Sequence, residues 1–76
     1  MREFELRAVG QLGMAIRQAR KEAGFTQRDA AAFCNVSLPF LSKVEQGKAG
    51  AQIGKVIEVC LRLGIAIRIG LPESGQ

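Results

Sequence analysis

The sequence contains no histidine and only seven scattered carboxylates. Acid–base and nucleophilic catalysis need a titratable base held beside the reacting group. No serine, cysteine or lysine of this chain has such a base beside it in sequence, and no glycine-rich phosphate loop is present. An enzyme is therefore not expected. Cysteine is scarce as well: Cys34 and Cys60 lie far apart among apolar neighbours. Two thiols without a histidine cannot complete a four-ligand zinc site, so they read as buried small hydrophobes in a reducing compartment. No metal or cofactor is implied. No apolar run reaches the roughly 18 residues that span a membrane. The opening Met1-Arg2-Glu3-Phe4-Glu5 is acidic where a signal peptide would be apolar, so a cytoplasmic location is expected.

What the chain does have is apolar content, 47% of 76 residues, which excludes a disordered tail and fits one small domain. A chain of this size buries only about 60% of the surface its unfolded form exposes, and a second subunit often supplies the rest. The formal charge is +4. Residues 17–48 hold six basic and three acidic side chains, so +3 of that charge falls in under half the chain. Such an excess suits a polyanionic partner, although an ordinary solvated face has the same look.

Periodicity divides the chain into helices with readable ends. Leu12, Ile16, Ala19 and Ala23 recur at helical spacing from Val9 onward, and Gly24 stops that helix. Thr26 and Asp29 form a capping box with Asp in the usual Glu place, opening a short second helix that ends near Asn35. Ser37 caps a third helix, Pro39 sits harmlessly in its first turn, and Gly47 closes it. A fourth helix runs from about Gln52 to Leu63, with Ile53, Val56, Ile57, Cys60 and Leu61 as its stripe and Gly64 as its stop. The period then changes to two: Ile65, Ile67, Ile69 and Leu71 alternate with Ala66, Arg68 and Gly70. That pattern predicts a strand, and a lone strand needs a partner. Glu3-Phe4-Glu5-Leu6 is one weak candidate, and a second copy of the same strand across a two-fold axis is the better one.

Three short helices bounded at Gly24, Asn35 and Gly47 describe a helix-turn-helix over residues 26–47, whose last helix would enter a DNA major groove. Ala31 is small where two helices cross, and Val36, Leu41 and Val44 point inward. Stripes of alanine and leucine would equally build an arbitrary helical bundle. The string Leu12-Gly13-x-x-Ile16-Arg17-x-x-Arg20-x-x-x-Gly24-x-Thr26-Gln27, then Val36-Ser37 and Leu41-Ser42-x-Val44-Glu45-x-Gly47, is more specific. It resembles the Xre family of repressors, which includes the phage lambda-type Cro and repressor proteins, over about residues 9–64. The resemblance implies an all-α, four-to-five-helix lambda-repressor-like domain that binds operator DNA as a dimer. It further implies a largely buried ion pair between Arg20 and Glu45.

Two departures shape the expectation. The family usually continues into a fifth helix, whereas this chain offers a C-terminal β-strand at 65–71. That layout resembles the HipB-type antitoxins, in which such strands pair across the homodimer. Ile65, Ile67, Arg68, Ile69 and Leu71 are thus the expected dimer interface, with residues 1–8 a leading segment and 72–76 a flexible tail. Phe33 stands where the family has a polar residue, either as an anchor for a protein partner or packed on its own domain.

The expected DNA contacts are Gln27 and Arg28 at the positive end of the second helix, where a phosphate is favoured. Ser37, Leu38, Pro39, Phe40, Ser42 and Lys43 form the expected reading face, with Gln46 and Lys48 at phosphates as the chain leaves the groove. This face has no Gln, Asn or Arg for bidentate base contacts, so DNA shape is expected to contribute much of the specificity. The leading expectation is an autoregulating repressor that is the antitoxin of a HipA-type toxin kinase. A stand-alone or phage-type regulator has the same chemistry. A protein-interaction module that has lost DNA binding is the alternative of a different class.

Overall fold

The computed structural model describes residues 2–48 and 52–74. Its helices are α1 (Val9–Glu22), α2 (Gln27–Cys34), α3 (Leu38–Glu45) and α4 (Ile53–Arg62). Every boundary but the start of α4 has a local side-chain or backbone cause. Gln11 folds back over the start of α1, accepting from the Ala8 amide at 3.1 Å and from the Arg7 amide. At α2 the Asp29 amide donates to Thr26 Oγ1 at 3.0 Å while the Thr26 amide donates to the Asp29 carboxylate at 3.1 Å. That backbone bond holds the Asp29 carboxyl below the usual carboxylate range. The Phe40 amide donates to Ser37 Oγ at 3.1 Å, opening α3. The stops are left-handed residues: Gly24, Asn35, Gly47 and Gly64 have φ of 78°, 57°, 80° and 80°. None of the helices described is long and apolar enough to cross a membrane.

All four helices contribute to one core. Leu12 and Ile16 come from α1, Ala30, Ala31 and Cys34 from α2, Leu41 and Val44 from α3, and Val56, Val59 and Cys60 from α4. Burial pushes the Cys34 thiol up and the Cys60 thiol up to about 11, so both stay protonated near neutral pH and act as small apolar groups. Phe25, Val36, Phe40, Leu63, Ile65 and Ile67 cover the margins.

α1 and the end of α3 approach each other closely at two glycines. A Cβ on Gly13 would lie 1.9 Å from the Val44 carbonyl oxygen, which is already accepting from the Gly47 amide at 2.9 Å. One turn earlier, Gly10 faces Gly47, and a Cβ on Gly47 would come within 3.3 Å of the Gly10 Cα. Hydrogen at these positions lets the two backbones meet, so the height of α3 above α1 depends on having no side chain there.

Three sequence expectations need correction. In α1, Ala23 is exposed at the helix end and the buried face is completed by Gly13 and Arg20 instead. In α4, Val59 is buried, while Ile53, Ile57 and Leu61 stay at least 38% exposed. The strand expected at 65–71 is absent, since no residue described is in a β-ladder. An extended segment becomes a strand only when a neighbour takes up its amides and carbonyls. Ile65 and Ile67 instead lie against their own core, whereas Ile69 and Leu71 point outward, 83% and 85% exposed. Arg68 meets Glu3 at 2.9 Å, so the leading segment does lie beside residue 68, without forming a ladder. Of the tail at 72–76, Gly75 and Gln76 lie outside the described residues.

Gly13→Ala should lower stability by about 1–3 kcal/mol through overpacking, despite the better helix propensity of alanine. Gly54→Ala, where nothing lies within 4 Å, is the control. It should leave stability unchanged or raise it by up to about 1 kcal/mol. Urea midpoints of the two variants check the contrast, and equal midpoints would remove the α1–α3 contact from the account.

Candidate nucleic-acid interface

α2 and α3 are joined by the turn at Asn35, with the Val36 amide donating to the Ala31 carbonyl at 2.9 Å. Ala30 and Ala31 are small enough to let Leu41 and Val44 sit close behind them in the core. This puts the opposite side of α3 in solvent. Pro39 and Lys43 are exposed there, Leu38 and Ser42 half-buried, and Ser37 exposed at the cap.

The orientation of α3 is held from behind by a polar cluster. Arg20 Nε donates to Glu45 Oε2 at 2.7 Å, and its terminal nitrogen to Oε1 at 3.0 Å, a bidentate fork. The other terminal nitrogen donates to the Phe25 carbonyl at 2.9 Å. Gln27 Nε2 donates to Glu45 Oε1 at 3.1 Å. The Arg20 and Glu45 side chains are only 10% and 4% exposed. Burial would raise the Glu45 carboxyl, but hydrogen bonds from Arg20 and Gln27, with the charges of Arg20 and Arg17, hold it below the usual range. The bond to Glu45 raises Arg20 in turn. The cluster therefore stays ionised near neutral pH and ties α1, α2 and the last turn of α3 together.

The other candidate residues divide clearly. The Ser37 hydroxyl accepts the α3 cap bond, leaving its own proton free to donate. Gln46 Nε2 donates to Ser42 Oγ at 3.2 Å, so these two side chains on the exposed part of α3 are linked. Arg28, Gln46 and Lys48 are exposed. Gln27 is half-buried, with one amide hydrogen committed to Glu45 and its carbonyl and second hydrogen still available by chemistry. Phe40, expected on the reading face, is half-buried: its ring covers the core margin and Lys55 Nζ lies 5.3 Å from the ring centroid. Phe33 is 54% exposed, its ring 5.5 Å from that of Phe25, so it is partly packed on its own domain.

One residue, Lys55, and one role, that of Gln27, are not visible in the sequence. Lys55 stands beside α3 through its cation–π contact with Phe40, a pairing across 15 positions that no helical period reveals. Gln27, expected at DNA from the start of α2, is in the fold also a strut of the Glu45 cluster. Only the crossing of α2 over the end of α3 brings them together.

The sequence profile of the family described as helix-turn-helix matches residues 16–69. The HTH-type transcriptional regulator y4mF of Sinorhizobium fredii is 37% identical over 67 residues, covering 88% of each chain.

Glu45→Gln keeps the size of the side chain but leaves Arg20 buried without a countercharge. It should cost about 1–3 kcal/mol, read as a lower urea midpoint at pH 7. The folded carboxyl titrates below its unfolded value of about 4.3, so its stabilising contribution is complete above that pH. The contribution is lost as pH falls through the lower folded value. Wild type should therefore lose stability more steeply than Glu45→Gln on acidification below about pH 4.3. Identical melting of the two proteins across this range would show that the cluster does not hold α3.

Proposed function

The chain belongs to the helix-turn-helix family, and from that membership we propose that it is a sequence-specific transcriptional repressor that binds operator DNA as a homodimer. The observation that carries this reading is a short helix with an exposed face, α3, clamped from behind by the buried Arg20–Glu45–Gln27 cluster. A helix held so firmly can be inserted in a major groove about 12 Å wide without losing its angle.

In this reading Lys43 donates to a guanine edge, and Leu38 and Pro39 touch a thymine methyl. Ser37 and Ser42 add single hydrogen bonds. Gln27 and Arg28 meet phosphate at the start of α2, where unpaired amides point outward. Gln46 and Lys48 meet phosphate at the exit, and the half-buried Phe40 contributes by seating α3 more than by touching DNA. Because direct readout is thin, sequence-dependent groove shape supplies the remaining discrimination.

Two copies would place two α3 helices on successive turns of one DNA face. Exposed Ile69 and Leu71 support contact between the terminal segments of two copies. The alternating terminal segment also supports the finer role of a HipB-type antitoxin that represses its own operon and docks a HipA-type kinase. Co-purification of the neighbouring gene's product with the full chain tests that role directly.

Footprinting on DNA upstream of the protein's own gene tests the central reading. Two half-sites about one helical turn apart should be protected, with a log–log salt slope of roughly −5 to −9. Lys48→Ala should weaken binding to all sequences alike and reduce the slope by about 1. Lys43→Ala should instead relax discrimination at one base pair, by about 1 kcal/mol. No protection at any salt would mean that the fold serves as a protein-binding module.

A further inference from the structure

α4 is apolar over more of its circumference than its own domain covers. Val56, Val59 and Cys60 are the buried residues, and at 3.6 residues per turn they occupy about 100° of the helix. Beside them Ile53, Ile57 and Leu61 recur at every fourth residue and remain 42%, 38% and 58% exposed. The apolar arc is thus about 200° wide, roughly twice what a helix facing one core requires. Lys55, Glu58 and Arg62 are confined to the remaining side.

The chemistry of this stripe selects its occupant. It carries no charge, so it has nothing to offer a phosphate backbone, and an acidic or basic partner would bury its charges unanswered. A second copy brings the same uncharged surface. A two-fold axis near Ile57 sets Ile57 against its own counterpart and Ile53 against Leu61, with no like charges opposed. Such a charge-depleted, aliphatic centre is what homodimer interfaces have. Ile69 and Leu71, later in the chain, are exposed apolar side chains as well.

We propose that the Ile53–Ile57–Leu61 stripe of α4 packs against the same stripe of a second copy and forms the centre of the dimer interface. The inference rests on the homodimer reading and goes further, moving the centre of the interface from residues 65–71 to α4. The terminal segments then flank the helix pair.

The test uses the full chain. Sedimentation equilibrium should find wild type dimeric, and Ile57→Glu and Leu61→Glu monomeric, with dimerisation weakened by about 100-fold or more. Circular dichroism should show unchanged helix content, because both positions are exposed in the single domain. Ile57→Met should keep the dimer. Should a glutamate variant unfold, Ile57→Cys provides an independent readout. Mild oxidation should link two copies through residue 57, while Arg62→Cys, on the charged side of α4, should not link them. A dimer that survives both glutamate substitutions, or that fails to cross-link through residue 57, would overturn the α4 interface and leave the homodimer reading standing. A wild-type protein that is monomeric at all concentrations would overturn both.

Discussion

The fork between Arg20 and Glu45 is the interaction on which the arrangement of the other elements depends. α2 and α3 are eight residues each, shorter than the roughly 12–15 at which isolated helices become even marginal in water. Neither orients itself. α1, with 14 residues, is the longest element, and it positions α3 at two points. Gly13 lets the Val44 carbonyl settle against it, and Arg20 grips the last turn through Glu45. The steric contact sets a distance and the bidentate contact sets a direction.

A buried ion pair is a poor way to gain stability, because desolvation offsets much of the attraction. Its value here lies in geometry. The guanidinium has five N–H donors in a rigid plane, and three of its nitrogens are engaged, two by Glu45 and one by the Phe25 carbonyl. Gln27 then joins the same carboxylate from α2, so a shift of α3 disturbs contacts on two other elements at once. Such rigidity suits the proposed mode of recognition. A helix with few base-reading groups discriminates by how the groove fits around it, and that requires a fixed docking angle. By contrast, the Arg2–Glu22 and Glu5–Arg7 pairs lie in solvent with side chains at least 45% exposed. Pairs of that kind contribute little and organise nothing comparable.

The division of the surface follows from the same core. α3 turns out a mixed side, Ser42 and Lys43 beside Leu38 and Pro39, while α4 turns out an aliphatic stripe next to its buried residues. These are separate surfaces with different chemistry. In the proposed assembly one meets DNA and the other meets a second copy, so dimerisation need not compete with the reading face.

The helix ends were legible because capping is local. Thr26 with Asp29, Ser37 with Pro39, and the stops at Gly24, Asn35, Gly47 and Gly64 each act within a few residues. The core positions Ala31, Cys34, Leu41 and Val44 are legible from the local sequence, and the pairing of Arg20 with Glu45 from likeness to the Xre family; the burial of Ala30 is not. What the chain order did not disclose were choices made between elements. Phe40 and Lys55, Gln27 and Glu45, and Gly13 and Val44 meet only after the helices cross. The same holds for α4 and the terminal segment. Hydrophobic period alone marks Ile53, Ile57 and Leu61 as apolar, and 65–71 as alternating. Which of these residues the domain buries, and whether an extended segment becomes a strand, depends on the surface that comes to lie beside it. The helices, their stops and their apolar stripes follow from the chain alone, because they depend on neighbours a few residues away. The tertiary structure decided which faces are covered and how α3 is held, because those depend on neighbours in space.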